Sequence, residues 1–209
     1  MKDTLPTPAD PAQMTALLAS RLCHDIISPL GAIGNGVELL QMTPDYPGIA
    51  QSPEMMLIAE SVEAARARIR AFRMAFGTAS DGQRVSQGQL AEVIDDLNHS
   101  ARLRVSLETG DDLPRADVKL VMLALMCMAT AMPWGGRVTV TQNLRHWTIT
   151  GEADRTQGND RAVWAWLDAD QPDMPDAAHM HFAVLGVTAR AMGHHPRWSR
   201  DETRAVVAW

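Results

Sequence analysis

The stretch SRLCHDIISPLGAIGNGVELL, residues 20–40, decides the fold of the N-terminal part of this chain. Within it and just before it, apolar side chains recur at steps of three or four residues: Leu18, Leu22, Ile26, Leu30, Ile33, Val37 and Leu40. Steps of this size place the side chains in one stripe on one face of a helix. We therefore predict an amphipathic helix from about Pro11 to Met42, with Asp10 as its cap and Pro11 as its first helical residue.

A second amphipathic helix is predicted after the turn TPDYPG, residues 43–48. Ser52, Pro53 and Glu54 form a helix start signal. Apolar residues then continue at heptad spacing: Met55, Ile58, Val62, Ala65, Ile69, Phe72 and Phe76. One antiparallel hairpin of two helices cannot bury both stripes, so we expect a homodimer with a four-helix bundle. The alternative is that the hairpin packs on the rest of its own chain.

The pattern changes after Gly82. In order, the sequence predicts a helix (SQGQLAEVIDDLNHSAR), a strand (RVSLETG), a buried helix (RADVKLVMLALMCMATAM), two strands (GGRVTVTQNLRHWTITGEA), two further helices and two short closing strands. Helices mixed with antiparallel strands indicate an α+β fold, here a helical hairpin followed by a small α/β sandwich. The predicted domains are a disordered leader at 1–10, the hairpin at 11–79 and the sandwich at 80–209.

Composition argues against several classes of function. The 209 residues are 46% hydrophobic and 21% charged, with a formal net charge of -6. An acidic balance argues against nucleic-acid binding, which usually requires a basic face. We expect no membrane span, because no run of about 18 apolar residues is present. Two cysteines far apart in sequence form neither a disulfide framework nor a metal pattern, which favours a reducing cytoplasm.

His24 is predicted to lie on the side of the first helix away from the apolar stripe. It is two residues from Leu22 and from Ile26, which corresponds to about 200° around a helix. The small and polar residues on or near its side are Ser20, Arg21, Ser28, Gly31 and Asn35. A large partner could approach His24 closely over such a surface, so we interpret these residues as partner-binding. A surface histidine without a role is the alternative.

Two neighbours favour a role for His24. Asp25 follows it directly, and Pro29 lies in the helix interior, where proline removes a hydrogen bond and costs about 3 kcal/mol. An imidazole is a good nucleophile near neutral pH. A carboxylate beside it can hold its tautomer and stabilise the positive ring that forms during attack. A phosphoryl group is the natural electrophile for such a histidine.

The segment HDIISPL, residues 24–30, resembles the H-box of bacterial sensor histidine kinases. The longer run LLASRLCHDIISPLGAIGNGVELL, residues 17–40, is similar to the ChpT-type histidine phosphotransferases of alphaproteobacterial phosphorelays. The resemblance covers the whole architecture, namely a dimerising hairpin followed by a domain like the ATP-binding domain of the kinases. It is weaker, residue by residue, in the second half.

This resemblance implies a mechanism. His24 would accept a phosphoryl group from the phospho-aspartate of a receiver domain in a hybrid histidine kinase. It would then pass the group to the aspartate of a downstream response regulator, while Asp25 orients or polarises His24. The chain would bind no metal or cofactor of its own, since Mg²⁺ would be supplied by the receiver. Phosphoryl transfer of this kind depends mostly on positioning.

ATP binding is not expected. In the kinases, an asparagine-bearing helix holds Mg²⁺ and closely spaced glycines cradle the phosphates. The matching helix here has neither Asn nor an acidic residue from Val118 to Met132, and the last helix keeps only Gly186 and Gly193. A phosphate cradle of backbone N–H groups is therefore missing. The second domain would then serve as a docking surface for the receiver domain.

Arg66, Arg70 and Arg73 fall on one face of the second helix and could meet an acidic receiver surface. An ordinary solvated basic face explains them equally well. Two other functions stay open at this point. One is an atypical sensor histidine kinase that still binds ATP, and the other is a non-enzymatic dimeric adaptor that docks receiver domains.

Overall fold

The computed structural model describes residues 11–98, 103–157, 161–168 and 175–209. The predicted leader at 1–10 and the Asp10 cap lie outside these residues. Contacts between residues divide the chain into two units, with the boundary between Thr78 and Ala79. The first unit contains α1, Pro11–Met42, a short 3₁₀ turn at Ile49–Gln51, and α2, Pro53–Phe76.

The start of α2 follows the predicted signal. Ser52 is the N-cap residue, and its side chain accepts a hydrogen bond from the N–H of Met55 at 3.2 Å. Pro53 occupies the first turn, where its missing N–H leaves no helix hydrogen bond unmade. Glu54, also in the first turn, interacts favourably with the positive end of the helix dipole. The sequence therefore fixes this boundary by local chemistry alone.

The predicted apolar stripe of α1 divides between two faces. Val37 is buried and Leu30 is half-buried, whereas the other five side chains are 40–60% exposed: Leu18, Leu22, Ile26, Ile33 and Leu40. Cys23 and Gly34 are buried instead. Leu30, Gly34 and Val37 follow one another at steps of four and three residues, and Cys23 precedes Leu30 by seven residues, or about two helical turns. The prediction of a single stripe was therefore wrong in detail, because Cys23 and Gly34 share the inner face of the hairpin with Val37, while most of the large stripe residues remain outside.

Gly34 explains how closely the two helices approach. A β-carbon at this position would collide with the guanidinium group of Arg66, which reaches across from α2. Gly36, two residues further on, has open space around it. The glycines of α1 therefore have different roles, and at Gly34 the absence of a side chain makes room for an arginine.

The α2 stripe is also partly uncovered. Met55 and Val62 are buried, whereas Ile58 and Phe72 are exposed. The Phe72 and Phe76 rings lie 6.0 Å apart, centroid to centroid. Apolar surface therefore remains exposed on both helices of the hairpin, as a lone hairpin with two apolar faces requires.

α1 is long and apolar enough, by length and composition alone, to cross a membrane. This differs from the expectation of no such segment. One helix of this kind is weak evidence for a span, because the core helix of a soluble protein or a signal sequence passes the same test. The charged residues Arg21 and Asp25 lie in its middle, where a lipid environment would make them costly.

The second unit begins at Ala79. Its helices are α3 (Gln87–Asn98), α4 (Arg115–Ala131), α5 (Arg161–Ala165) and α6 (Met180–Ala191). Short 3₁₀ turns occupy Trp166–Asp168 and Ala177–His179. Its strands are β1 (Arg84–Ser86), β2 (Leu103–Glu108), β3 (Asp112–Pro114), β4 (Gly136–Asn143), β5 (His146–Glu152), β6 (Arg197–Arg200) and β7 (Arg204–Ala208). Each helix and strand predicted for this unit is present within the described residues, and the α+β class is confirmed; the predicted helix ends at 99–102, 159–160 and 169 lie outside those residues.

The main sheet has the strand order β2-β4-β5-β7-β6. β2 and β4 are parallel, and the other neighbours are antiparallel, so the sheet is mixed rather than wholly antiparallel as predicted. The reason is that α4 crosses between β2 and β4, and a helical crossover returns the chain in the same direction. The sequence prediction also missed a separate two-stranded ribbon, β1 with β3, whose strands have three residues each.

The core of the second unit is formed by one sheet face and the helices packed with it, α4 and α6 among them. Alternate sheet residues such as Val138, Val140 and Ile149 are fully buried. The middle of α4 is almost wholly buried, and α4 contacts both α6 and the sheet. Trp164 packs edge-on against Phe182 of α6 at 5.2 Å between ring centroids. The tryptophan therefore joins the α5 segment to α6.

His181 of α6 is a buried polar group in this core. Its Nε2 lies 3.1 Å from the hydroxyl of Thr130 on α4. Burial, with a smaller contribution from the nearby His179, lowers the pKa of His181 to about 4. The imidazole is therefore neutral in the folded protein at physiological pH.

This histidine makes the stability of the second unit depend on pH. The folded pKa is about 4 and the ordinary value is 6.5. Between these values the unfolded chain binds a proton that the folded chain does not, so stability falls as pH falls. We expect the free energy of unfolding to decrease by up to about 3 kcal/mol over this range. Urea unfolding at several pH values measures it.

The His181→Gln variant keeps a hydrogen-bonding group and removes the titration, so it should lose this part of the pH dependence. His146→Gln, which changes an exposed histidine of β5, is the matched control and should keep it. An unchanged pH profile in His181→Gln would contradict the assignment.

Candidate functional site

His24 lies in the middle of α1, and its side chain is 79% exposed. Its neighbours at a distance of two residues, Leu22 and Ile26, belong to the exposed apolar stripe. Since two residues correspond to about 200° around a helix, the histidine and the stripe face opposite sides of α1. A protein that covered the stripe would therefore leave His24 accessible.

The carboxylate of Asp25 contacts both His24 and Arg21. Nδ1 of His24 lies 3.2 Å from Oδ1 of Asp25, and Nε of Arg21 donates to Oδ2 at 2.8 Å. The hydrogen bond from His24, with that from Arg21 and its positive charge, lowers the pKa of Asp25. The carboxylate is therefore ionised near neutral pH and can only accept hydrogen bonds.

An ionised Asp25 determines the tautomer of its neighbour. Because the carboxylate only accepts, Nδ1 of neutral His24 must carry the hydrogen in this contact. Nε2 then holds the free lone pair. This nitrogen is at the end of the exposed ring, so the arrangement presents one nucleophilic atom to the outside.

Pro29 occurs inside α1 without ending the helix. Because proline has no N–H, the backbone carbonyl of Asp25, four residues earlier, lacks its usual donor from the helix. The helix hydrogen bond that this proline removes is therefore that of Asp25, the residue that contacts His24. The side chain of Pro29 is exposed, on the side of α1 that carries the apolar stripe.

Cys23 is the second nucleophilic residue type in this segment, and the structure separates it from His24. The thiol is buried, and burial raises its pKa, although the positive charge of Arg73 partly opposes the shift. A buried protonated thiol is a poor nucleophile. The geometry therefore leaves His24 as the reactive residue of the pair.

The residues predicted to share the His24 face have different environments. Ser28 and Asn35 are exposed, and Gly31 has open space where a side chain would be. Ser20 is half-buried, and its hydroxyl accepts a hydrogen bond from the N–H of Thr78, after the end of α2, at 3.2 Å. Ser20 therefore joins the two helices close to His24, a structural role that sequence reasoning missed.

The environment of Arg66 also differs from the prediction, which placed this residue on a basic face open to a partner or to solvent. Its side chain is 22% exposed, and its guanidinium donates to Glu63 at 2.6 Å and to the backbone carbonyl of Gly31 at 3.2 Å. Glu38 of α1 lies 3.9 Å away. Arg66 therefore holds the two helices together. Arg70 is half-buried and Arg73 is exposed.

The second unit carries features that bear on nucleotide binding. From Val118 to Ala131, α4 presents apolar side chains to the core where a kinase helix would carry polar ligands. Gly186 of α6 is packed against backbone, since a β-carbon there would lie 2.7 Å from the carbonyl oxygen of Trp166 and 2.8 Å from that of Leu167. Carbonyl oxygens carry partial negative charge, so this glycine faces groups that repel phosphate.

The model of the "Histidine phosphotransferase C-terminal domain" family matches residues 87–204, which is more than half of the chain. The chain belongs to the histidine phosphotransferase family.

Two relatives agree with this family assignment. The chain is 37% identical over 139 residues to "Protein phosphotransferase ChpT" of Brucella abortus (strain 2308), a match that covers 66% of this chain and 64% of that protein. It is also similar to the solved structure described as "1.7 Angstrom Structure of a Bacterial Phosphotransferase". The TM-score is 0.66 at 25% identity, and the match covers 98% of this chain and 99% of that one. The predicted resemblance to ChpT-type proteins is confirmed.

The role of Arg66 in this histidine phosphotransferase family member can be tested by substitution. Arg66→Met keeps an unbranched side chain but removes the contacts to Glu63 and Gly31. Hydrogen bonds to charged groups contribute about 1.5–3 kcal/mol when largely buried, so we expect a loss of about 1–2 kcal/mol here. Thermal unfolding followed by circular dichroism measures it.

Arg68→Met is the matched control, since Arg68 is exposed on the same helix. It should leave the melting temperature nearly unchanged. Equal melting temperatures for Arg66→Met and Arg68→Met would show that Arg66 does not stabilise the hairpin.

Proposed function

We propose that this chain is a histidine phosphotransferase of a two-component phosphorelay. His24 accepts a phosphoryl group from the phospho-aspartate of a receiver domain, such as that of a hybrid histidine kinase. It then passes the group to the aspartate of a response regulator. The observation that carries the proposal is the exposed His24 ring with Asp25 at its Nδ1, in a chain of the histidine phosphotransferase family.

Transfer to His24 would be a single displacement at phosphorus. The lone pair of Nε2 forms the N–P bond, while the P–O bond to the donor aspartate breaks and returns a carboxylate. The hydrogen stays on Nδ1, so the ring becomes positively charged. Asp25, 3.2 Å from Nδ1, stabilises this charge. Transfer to the second aspartate reverses these changes.

Mg²⁺ belongs, in this proposal, to the receiver and not to this chain. When bound there, it would offset negative charge on the phosphoryl oxygens. Within the described residues of this chain, no group of three or more His, Cys, Asp or Glu side chains is arranged to hold a metal. The part of this chain is then to present a nucleophile in the right geometry, which is the main requirement of phosphoryl transfer.

The proposal also holds that the chain is not an ATP-dependent autokinase. The apolar side chains of α4 support this view because they offer no ligand for the metal of a triphosphate, and the carbonyl oxygens packed against Gly186 would repel phosphate. The second unit would act as a docking surface for the receiver. Ser28, Gly31 and Asn35 would contribute contacts beside His24, and Arg70 would contribute charge.

A homodimer completes the proposal. The exposed stripe of α1 continues into an open apolar groove of about 800 Å³ at the end of the helix, lined by Ile33, Gly36, Val37, Leu39, Leu40, Met42, Thr43 and Tyr46. Monomeric proteins rarely leave such a surface open to water. Pairing with a second hairpin would cover it in a four-helix bundle. His24 faces the other side of α1, so both copies would keep an accessible histidine. We place this dimer in the cytoplasm, where Cys23 and Cys127 stay reduced.

The direct test of phosphotransfer uses γ-³²P-ATP with a hybrid kinase whose receiver serves as donor. We expect label on this chain only when the kinase is present, because the donor is the receiver and not ATP. The label should be acid-labile and absent from His24→Ala, while His146→Ala, which changes another exposed histidine, keeps it. Label from ATP alone would indicate a working kinase domain. A receiver that binds without any transfer of label would favour an adaptor.

The dimer is tested by light scattering after size-exclusion chromatography. We expect twice the monomer mass for the wild type, and the monomer mass for Ile26→Arg, since a charge in the centre of the apolar stripe cannot be buried without a partner. Leu144→Arg is the matched control, because Leu144 is 87% exposed on a turn of the second unit. A wild-type monomer, or an Ile26→Arg dimer, would contradict the proposed interface.

A further inference from the structure

Arg21 contacts Asp25 in the structure, although the sequence suggested a contact with a partner protein. Its Nε donates to Oδ2 of Asp25 at 2.8 Å, and the other oxygen of the same carboxylate lies 3.2 Å from His24. Each oxygen of Asp25 therefore has one contact. The three side chains form a chain of contacts on the exposed surface of one helix.

The contact between His24 and Asp25 requires an explanation, because consecutive residues on a helix point about 100° apart and do not face each other. Arg21 precedes Asp25 by four residues and His24 by three. By helical periodicity it lies about 40° from Asp25 and about 60° from His24, on the side between them. A hydrogen bond to Arg21 therefore draws the carboxylate of Asp25 towards the imidazole.

We propose that Arg21 is a positioning residue, which holds the Asp25 carboxylate against Nδ1 of His24 and so leaves Nε2 as the nitrogen that takes the phosphoryl group. This inference rests on the proposed function. It assigns Arg21 a role within the chain, in place of a role in partner binding.

The exposure of these side chains limits what the pair can do. Arg21 is 73% exposed, and exposed ion pairs contribute little to stability. The interaction therefore acts on the orientation of one ring and not on the fold. Its removal should change the tautomer and the reactivity of His24 while leaving the melting temperature as it was.

A small phosphoryl donor separates positioning from partner binding. Phosphoramidate presents no docking surface: the Nε2–P bond forms, its own P–N bond breaks and ammonia leaves. If Arg21 positions Asp25, Arg21→Gln should slow labelling of His24 by phosphoramidate about tenfold, the lower end of the loss seen when a partner that orients a metal-ligating histidine is removed. Labelling by a phosphorylated receiver domain should slow by a similar factor.

Two variants of the full chain serve as controls. Arg21→Lys keeps a positive donor four residues before Asp25 and should restore most of the rate. Arg145→Gln makes the same change of charge at an exposed site of the second unit and should react like the wild type. Loss with the receiver but not with phosphoramidate would overturn the inference, since Arg21 would then act in docking. Equal rates in Arg21→Gln and wild type would overturn it as well.

The tautomer gives a readout that needs no phosphoryl donor. Nitrogen-15 NMR of the histidines at about pH 8, where an ordinary imidazole is neutral, distinguishes a hydrogen on Nδ1 from one on Nε2. We expect the Nδ1–H form of His24 in the wild type and in Arg21→Lys, and a mixture in Arg21→Gln. A mixture in all three would refute positioning by Arg21. If the tautomer follows Arg21 but no receiver transfers its phosphoryl group, the proposed function fails and the positioning stands.

Discussion

The close approach of α1 and α2 is the constraint on which the site depends. It is possible because α1 has small residues at two points of contact. Gly34 lies under the guanidinium of Arg66, and the hydroxyl of Ser20 accepts a hydrogen bond from the N–H of Thr78. These contacts fix the rotation of α1 about its axis. Once that rotation is fixed, helical periodicity turns Ile26 to one exposed side and His24 to the other.

Much of this fold follows from sequence because its signals are local. The cap at Ser52, the proline that follows and the alternation of β4 and β5 each act over a few residues. The parallel pairing of β2 with β4 depends instead on where α4 returns the chain, and the three-residue strands β1 and β3 are too short to show a period. Neither of these features could be derived from neighbouring residues.

The site shows the same division. His24 and Asp25 could be identified because the histidine lies opposite a regular apolar stripe, an acid follows it directly and a proline lies in the helix interior. The role of Arg66 could not, because a basic residue on an exposed-looking helix face is equally consistent with solvent, a partner or the neighbouring helix. Only the packing of Gly34 against it decides between them. The contact between Arg21 and Asp25, in contrast, is one that the sequence allows to be predicted, since residues four apart are neighbours on a helix.

An exposed nucleophile must be oriented by its own helix. A buried active site surrounds its reactive group with packed side chains, but a histidine that has to meet large partners cannot be enclosed. The groups that remain available are neighbours along the same helix, and α1 uses two of them: Asp25, next to His24, and Arg21, about one turn before Asp25. Because His24 must stay exposed to admit a partner, its orientation depends on short-range hydrogen bonds along α1. Close packing of side chains is found instead on the inner face of the hairpin.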